Sequence, residues 1–300
     1  MKYFLYILAM TFMRFIALMP DFILYRISDL LFVIVFYVVR YRKNVTSRNL
    51  KLAFPEHDEK IIKKIRKDFY RHLADLIIEN AVVQFFPRKR LDKMYKLENP
   101  ELYKRYFEQN RHVIILAGHY NNWEWAPVMS YSIKHKVLAL YKPLHNKYFD
   151  QALQRSRTRF GAVATPMGQI MRTLYHFDSQ SKPTLTGVIA DQRPRKKEIN
   201  FWVDFLGIKT AAYNGAERLA RRYNAVVVTM NVKKIKRGKY TGETAILTET
   251  PNALKENEIT KMFFMHLEKL IQEKPQYWLW SHKRWKISYD EWLEFTKNNK

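Results

Sequence analysis

Three hundred residues, 47% of them hydrophobic, suffice for one large domain with an ample core. The absence of cysteine rules out a disulfide framework, thiol chemistry and Cys-based zinc sites. Fifty-three basic residues against 28 acidic ones, a formal charge of +25, call for anionic partners: nucleic acid, anionic lipid, a phosphorylated substrate or an acidic protein.

Residues 1–39 are the most apolar stretch. The run 3–13 is nearly uncharged, Arg14 interrupts it, and 15–19 leads to Pro20. Residues 23–39 carry Arg26 and Asp29 near their start and then an uninterrupted apolar run over 30–39. A spanning helix needs about 20 apolar residues, so a spanning or re-entrant helix and an interfacial pair both fit. A signal peptide fits poorly, for want of a small-residue cleavage site. Membrane attachment is expected either way, and tyrosines and tryptophans among lysines and arginines favour a membrane surface over nucleic acid. The basic flank Arg40, Arg42, Lys43, Arg48 and Lys51 places the chain beyond it on the cytoplasmic side. The expected division is a membrane-anchoring region over 1–57 and an α/β domain over 58–300.

The spacing of Ile61, Ile62, Ile65, Phe69, Leu73, Leu76 and Ile77 predicts an amphipathic helix over 58–86, with Lys60, Lys63, Lys64 and Lys67 on its wet face and Pro87 ending it. Strand-like runs at 113–116, 137–140, 184–190 and 225–232 then alternate with helical patterns near 121–133, 146–159, 168–178 and 213–223. That alternation argues for an α/β fold with a largely parallel sheet. Residues 240–247 are expected to add a strand and 259–273 a closing helix.

The stretch Arg111–Pro127, RHVIILAGHYNNWEWAP, concentrates the polar chemistry. An apolar strand ends at Gly118, which puts His119 at the C-terminal end of a strand, where open α/β sheets bind ligands. Glu124 lies five positions on. On one helix the two would point about 140° apart, but a His in the loop and a Glu in the first turn can fold together. A carboxylate on one ring nitrogen would leave the other as a general base. The bland alternative makes Asn121 an N-cap with Glu124 at N3, a capping box. Tyr141 and Lys142 follow the next strand on the same edge. On the helix after them Arg155 and Arg159 share a face and Arg157 points about 200° away, a solvated run by default. Asp191 and Gln192 end the strand 184–190, next to Arg193 and Arg195, where a turn with a salt bridge is the common reading.

The string Gly-His-Tyr-Asn-Asn-Trp-Glu resembles the His-x-x-x-x-Asp/Glu motif of membrane glycerolipid and lipid A acyltransferases, in the version of the late lipid A (lauroyl/myristoyl) branch. Arg-Ser-Arg-Thr-Arg-Phe-Gly over 155–161 is similar to that family's second block, with its essential arginine falling on Arg157. Ala-Asp-Gln over 190–192, the segments 205–207 and 213–220, and the aromatic and basic run 275–286 are similar to later blocks. Glu124 rather than Asp, and no Glu-Gly-Thr-Arg-like loop, set the chain apart from the glycerol-phosphate and lysophosphatidate acyltransferases. The resemblance implies a glycerolipid-acyltransferase-like fold with a mixed, largely parallel sheet flanked by helices and an N-terminal hydrophobic helical anchor. It implies O-acyl transfer from a thioester to a hydroxyl of a lipid A precursor or related lipid, with a His119/Glu124 dyad. Arg157, Asp191, Gln192, Tyr141 and Lys142 would bind substrate, and His282 would be structural or bind a head group. No metal or bound cofactor is implied. The donor would be an acidic acyl carrier protein, or acyl-CoA, and the site of action the cytoplasmic face of the bacterial inner membrane at an anionic lipid surface. Aminolipid O-acyltransferases share these blocks, and the alternative activity is that of an aminolipid or a lysophospholipid/glycerolipid O-acyltransferase. A nucleic-acid binder would explain the charge but not the apolar N-terminus, and a non-catalytic basic membrane protein would leave His119 and Glu124 unexplained.

Overall fold

Val/Ile/Leu-rich runs are what strands buried on both faces need, and 113–117 and 226–232 become, with 184–189, the middle of the sheet. The computed structural model describes residues 2–143 and 146–298, so Leu144, at the end of the Tyr-Lys-Pro-Leu string, lies outside them. The chain opens with helices α1 (Lys2–Ala17), α2 (Asp21–Val33, prolonged by a π-helical turn over Ile34–Val38), α3 (Lys43–Ala53) and α4 (Glu59–Val82). Asp58 caps α4 by accepting from the Ile61 amide at 2.7 Å. A 3-10 turn, helix α5 (Arg88–Met94), β1 (Tyr95–Leu97) and α6 (Pro100–Glu108) lead to β2 (Val113–Ala117).

Beyond a 3-10 helix over Trp123–Tyr131 come β3 (Lys136–Tyr141), α7 (Lys147–Thr158), β4 (Val163–Pro166), α8 (Ile170–Asp178) and β5 (Thr184–Ile189). The hairpin β6 (Trp202–Phe205) and β7 (Ile208–Ala211) turns on Leu206 and Gly207, both at positive φ. Helix α9 (Gly215–Arg222), strands β8 (Val226–Lys236) and β9 (Lys239–Thr248), and helices α10 (Glu258–Glu273) and α11 (Tyr289–Lys297) complete the chain.

Seven strands form one sheet in the order β1-β9-β8-β2-β5-β3-β4, parallel except for β8 with β9. The expected α/β architecture with a largely parallel sheet is therefore present. The chain leaves β2 towards β3 on one side and leaves β5 towards β8 on the other. That reversal opens a crevice at the C-terminal ends of β2 and β5. One core lies on each face of the sheet: Ile114, Leu116 and Val227 pack with α9 and α10, while Ile115, Leu185 and Val228 pack with α6 and the 3-10 helix.

Two local expectations are corrected. The segment after β2 is a 3-10 helix and not an α-helix; Pro127 lies inside it, and in an α-helix its ring would clash with the Trp123 carbonyl four residues back. Asn121 is no cap: it sits at φ 56° in the left-handed region, and Asn122 precedes the helix without a side-chain cap bond. As to the anchor, no single described helix is long and apolar enough to cross a membrane. Only the pair Asp21–Val38 and Lys43–Ala53, bent by 87°, reaches that length jointly. The N-terminal helices instead pack partly into the body, where Leu24 and Leu50 are fully buried, while Phe4, Leu8, Phe12, Phe22 and Leu30 stay exposed.

Candidate active site

Strands β2 and β5 are parallel neighbours with Ala117 opposite Ile189. Two residues beyond each, His119 and Asp191 leave the sheet side by side. Asp191 Oδ1 lies 2.5 Å from His119 Nδ1, and its Oδ2 accepts from the His119 amide and from Trp278 Nε1, both at 2.8 Å. Gly118 leaves room for α10 and for the carboxylate: a Cβ there would sit 2.8 Å from Leu267 Cδ1 and 3.3 Å from Asp191 Oδ2.

Asp191 is 2% exposed. Burial by itself would raise its carboxyl, but the charge and hydrogen bond of His119 and the Trp278 bond hold it below the ordinary value of 3.8. Burial would likewise depress His119, and Asp191 outweighs it, so the imidazole lies above 6.5. With Nδ1 protonated towards the carboxylate, the Nε2 lone pair points outward. There it accepts from Gln192 Nε2 at 2.9 Å. The pair is thus a base held in one tautomer by a buried acid.

The expected hydrogen bond between Glu124 and His119 is not formed. The 3-10 turn directs Glu124 towards Arg157, 3.7 Å away, and leaves its side chain 41% exposed. Its charge still reaches His119 through space and helps to raise it. Arg157 lies on the inward face of α7, donates to the Leu140 carbonyl at 2.8 Å and stands over the Tyr141 ring. The two arginines on the other face of the helix differ in what they meet. Arg155 faces solvent, and Arg159 turns to the carbonyls of Gln84 and Phe86. Tyr141 is buried under Arg157, and Lys142 beside it is exposed.

Glu124, Arg157, Trp123 and Pro127 border two cavities at once. The outer one, about 410 Å³, opens between α4 and α7, within the range of ligand sites of roughly 300–1,000 Å³. The inner one, about 100 Å³, is a narrow apolar slot between the 3-10 helix and the sheet, lined by Ala117, Met129, Ala139, Gly187 and Met230. Among the described residues no cluster of three metal-ligating side chains occurs.

Sequence reasoning gave Trp278 no role towards Asp191. The aromatic C-terminal run pairs with the loop after β2: Tyr120 bridges Trp278, the Asn121 amide donates to Tyr277 O at 2.8 Å, and the Leu279 amide to His119 O at 3.1 Å. His282, mainly through burial and then through Arg284, is depressed to about 4 and is neutral near pH 7. Arg284 is 2% exposed, and its Nη2 holds the Ala211 carbonyl behind the site.

The description "bacterial lipid A biosynthesis acyltransferase" fits residues 1–287 of the chain. The chain belongs to that family. It is 23% identical over 250 residues to the lipid A biosynthesis palmitoleoyltransferase of Escherichia coli K12, a match covering 83% of this chain and 80% of that protein. A lipid A biosynthesis acyltransferase of Shigella flexneri gives the same figures, 23% over 250 residues. The lipid A biosynthesis lauroyltransferase of E. coli K12 is 21% identical over 293 residues, 95% of this chain and 92% of its own. The residues in the geometry above, His119, Glu124, Arg157, Asp191, Gln192 and Trp278, all fall inside the matched span.

Proposed function

We propose that this chain is an O-acyltransferase that moves a fatty acyl group from a thioester to a hydroxyl of a lipid A precursor. The observation that carries the reading is a tautomer-locked base, His119 on Asp191, whose ring packs at 4.9 Å against Trp123, a residue that lines the apolar slot. The acceptor hydroxyl takes the place of Gln192 at His119 Nε2, gives up its proton there and attacks the thioester carbonyl carbon. The C–S bond then breaks, and the leaving thiolate takes the proton back from the imidazolium. Arg157, at the junction of the two cavities, binds an anionic substrate group or the oxyanion. Glu124 holds Arg157 and adds negative charge facing the imidazolium, while Tyr141 supports Arg157 from below and Lys142 offers a second cation. None of these steps calls for a metal.

The donor is acyl carrier protein, whose acidity suits a chain of charge +25. Residues 1–57 supply the membrane-facing surface, and 58–300 form the acyltransferase domain. The exposed apolar residues of α1 and α2, flanked by Arg40, Arg42 and Lys43, support seating on the cytoplasmic face of the inner membrane. The decisive test is mass spectrometry of underacylated lipid A after incubation with the purified chain and lauroyl thioesters of acyl carrier protein or of CoA. A gain of one acyl mass with the protein donor is expected; no acylated product from either donor overturns the reading.

The acyl chain occupies the inner slot. Gly187 lies mid-strand in that slot, and a side chain there would meet nothing within 4 Å of its Cβ, only the open slot. Gly187→Leu is therefore expected to fold normally and to shorten the slot. Each methylene denied burial costs about 0.8 kcal/mol, so losing room for four costs about 3 kcal/mol, roughly a hundredfold. In a competition between long and short acyl donors, preference should move to the short donor by about that factor. Unchanged selectivity in the folded variant would place the chain elsewhere.

A further inference from the structure

Helix α4 carries an acid on its buried stripe, three residues past Leu76 where an apolar residue would continue the pattern. Glu79 has no exposed surface, and among the described residues no acid is more buried. Three donors from three elements converge on it. The Tyr25 hydroxyl of α2 reaches Oε1 at 2.8 Å, while the Tyr240 hydroxyl of β9 and Asn122 Nδ2 reach Oε2 at 2.7 and 2.5 Å. Burial, the largest influence, pushes its carboxyl up to about 7 against the bonds from Tyr240 and Tyr25. An apolar side chain would avoid that cost, so the acid is a poor choice for stability alone.

What it does hold is the loop that aims the base. Asn122 is fully buried three residues after His119, in the loop whose other edge is bonded to Tyr277 and Leu279. The C-terminal run therefore grips this loop from one side and Glu79 from the other. Through Tyr25, Glu79 also grips α2, whose outer side exposes Phe22 and Leu30. We propose that Glu79 is a positioning residue for acyl transfer, coupling the seating of the N-terminal helix α2 to the geometry of the His119 loop through the chain Tyr25–Glu79–Asn122. The inference rests on His119 acting as the base. An error of about 1 Å in that base can cost two orders of magnitude in rate while leaving donor binding in the separate slot untouched.

The test uses the full chain in detergent, with lauroyl acyl carrier protein and underacylated lipid A, at a temperature where melting curves show every variant folded. Tyr25→Phe removes one oxygen and no packing volume. It is expected to lower kcat about tenfold with the donor KM within about twofold of wild type. Glu79→Gln is expected to lower kcat further. Adding Tyr25→Phe to it should then change nothing, because both act through one contact chain. A Tyr25→Phe enzyme with wild-type kcat overturns the coupling, and so does a double variant whose losses multiply. Should Glu79→Gln not fold, Tyr25→Phe decides alone. A wild-type chain that transfers no acyl group refutes the proposed function itself, an outcome distinct from both.

Discussion

Asp191→Asn is expected to reduce acyl transfer by roughly 10³–10⁴ while leaving the fold in place. The amide still fills the space between the His119 amide, Trp278 Nε1 and Nδ1. It cannot stabilise the imidazolium, and it can present an N–H that forces the ring into the wrong tautomer; losses near 10⁴ follow from that substitution in hydrolytic triads. The pH profile supplies a second readout. His119 must be neutral to act, and Asp191 raises it above 6.5 against burial, so the rate should climb with pH through a midpoint above that value. Without the carboxylate, burial prevails and the midpoint of the residual activity should fall. Stability follows the same pair in both directions. The raised His119 contributes stability that is full below 6.5 and lost as pH rises through its folded value. The depressed Asp191 contributes stability that is full above 3.8 and lost as pH falls through its folded value. The pair therefore stabilises most between these limits. A wild-type rate or an unmoved midpoint in folded Asp191→Asn would remove Asp191 from the reaction.

The second large effect is expected from His119→Ala, which removes the base itself and should lower single-turnover transfer by roughly 10²–10⁴. The informative comparison is with Glu124→Gln. Were Glu124 the orienting acid, its amide variant would be as damaged as Asp191→Asn. The geometry gives it a through-space influence from a partly exposed side chain held by Arg157. Such a contribution is of order 1 kcal/mol, about fivefold in rate. The expected order is therefore Glu124→Gln well above Asp191→Asn and His119→Ala, each measured beside a thermal melt. A Glu124→Gln variant as inactive as His119→Ala would return the dyad to Glu124. His119→Ala at wild-type rate would leave the reaction without its base.

Local pattern was enough for much of this architecture. Uninterrupted apolar runs specify buried strands, the three- and four-residue spacing specifies α4, and the loop at the end of β2 was readable as a ligand position. The motif blocks, in their order along the chain, led to the family that the match over residues 1–287 bears out. Local pattern misled where the determinant was a backbone detail: the segment holding Pro127 is a 3-10 helix rather than the expected α-helix, and within it Glu124 faces Arg157 and not His119. The short strands β1, β4, β6 and β7 gave no recognised signal, since runs of three or four residues hold too little periodicity.

The partner of the base was beyond any local argument. His119 and Asp191 are 72 residues apart and meet only because β2 and β5 pair in register, Ala117 opposite Ile189. Trp278 reaches Asp191 from 87 residues further along, and Tyr25 reaches Glu79 from 54 residues before it. Glu79 did leave a trace, an acid on an apolar helical stripe, but nothing in the chain says which donors will satisfy it. Residue types and spacing determined which side chains could do acid–base work, because chemistry and secondary-structure period are local properties. Which carboxylate holds the imidazole was decided by strand order and register, because those bring together residues that sequence separation keeps apart.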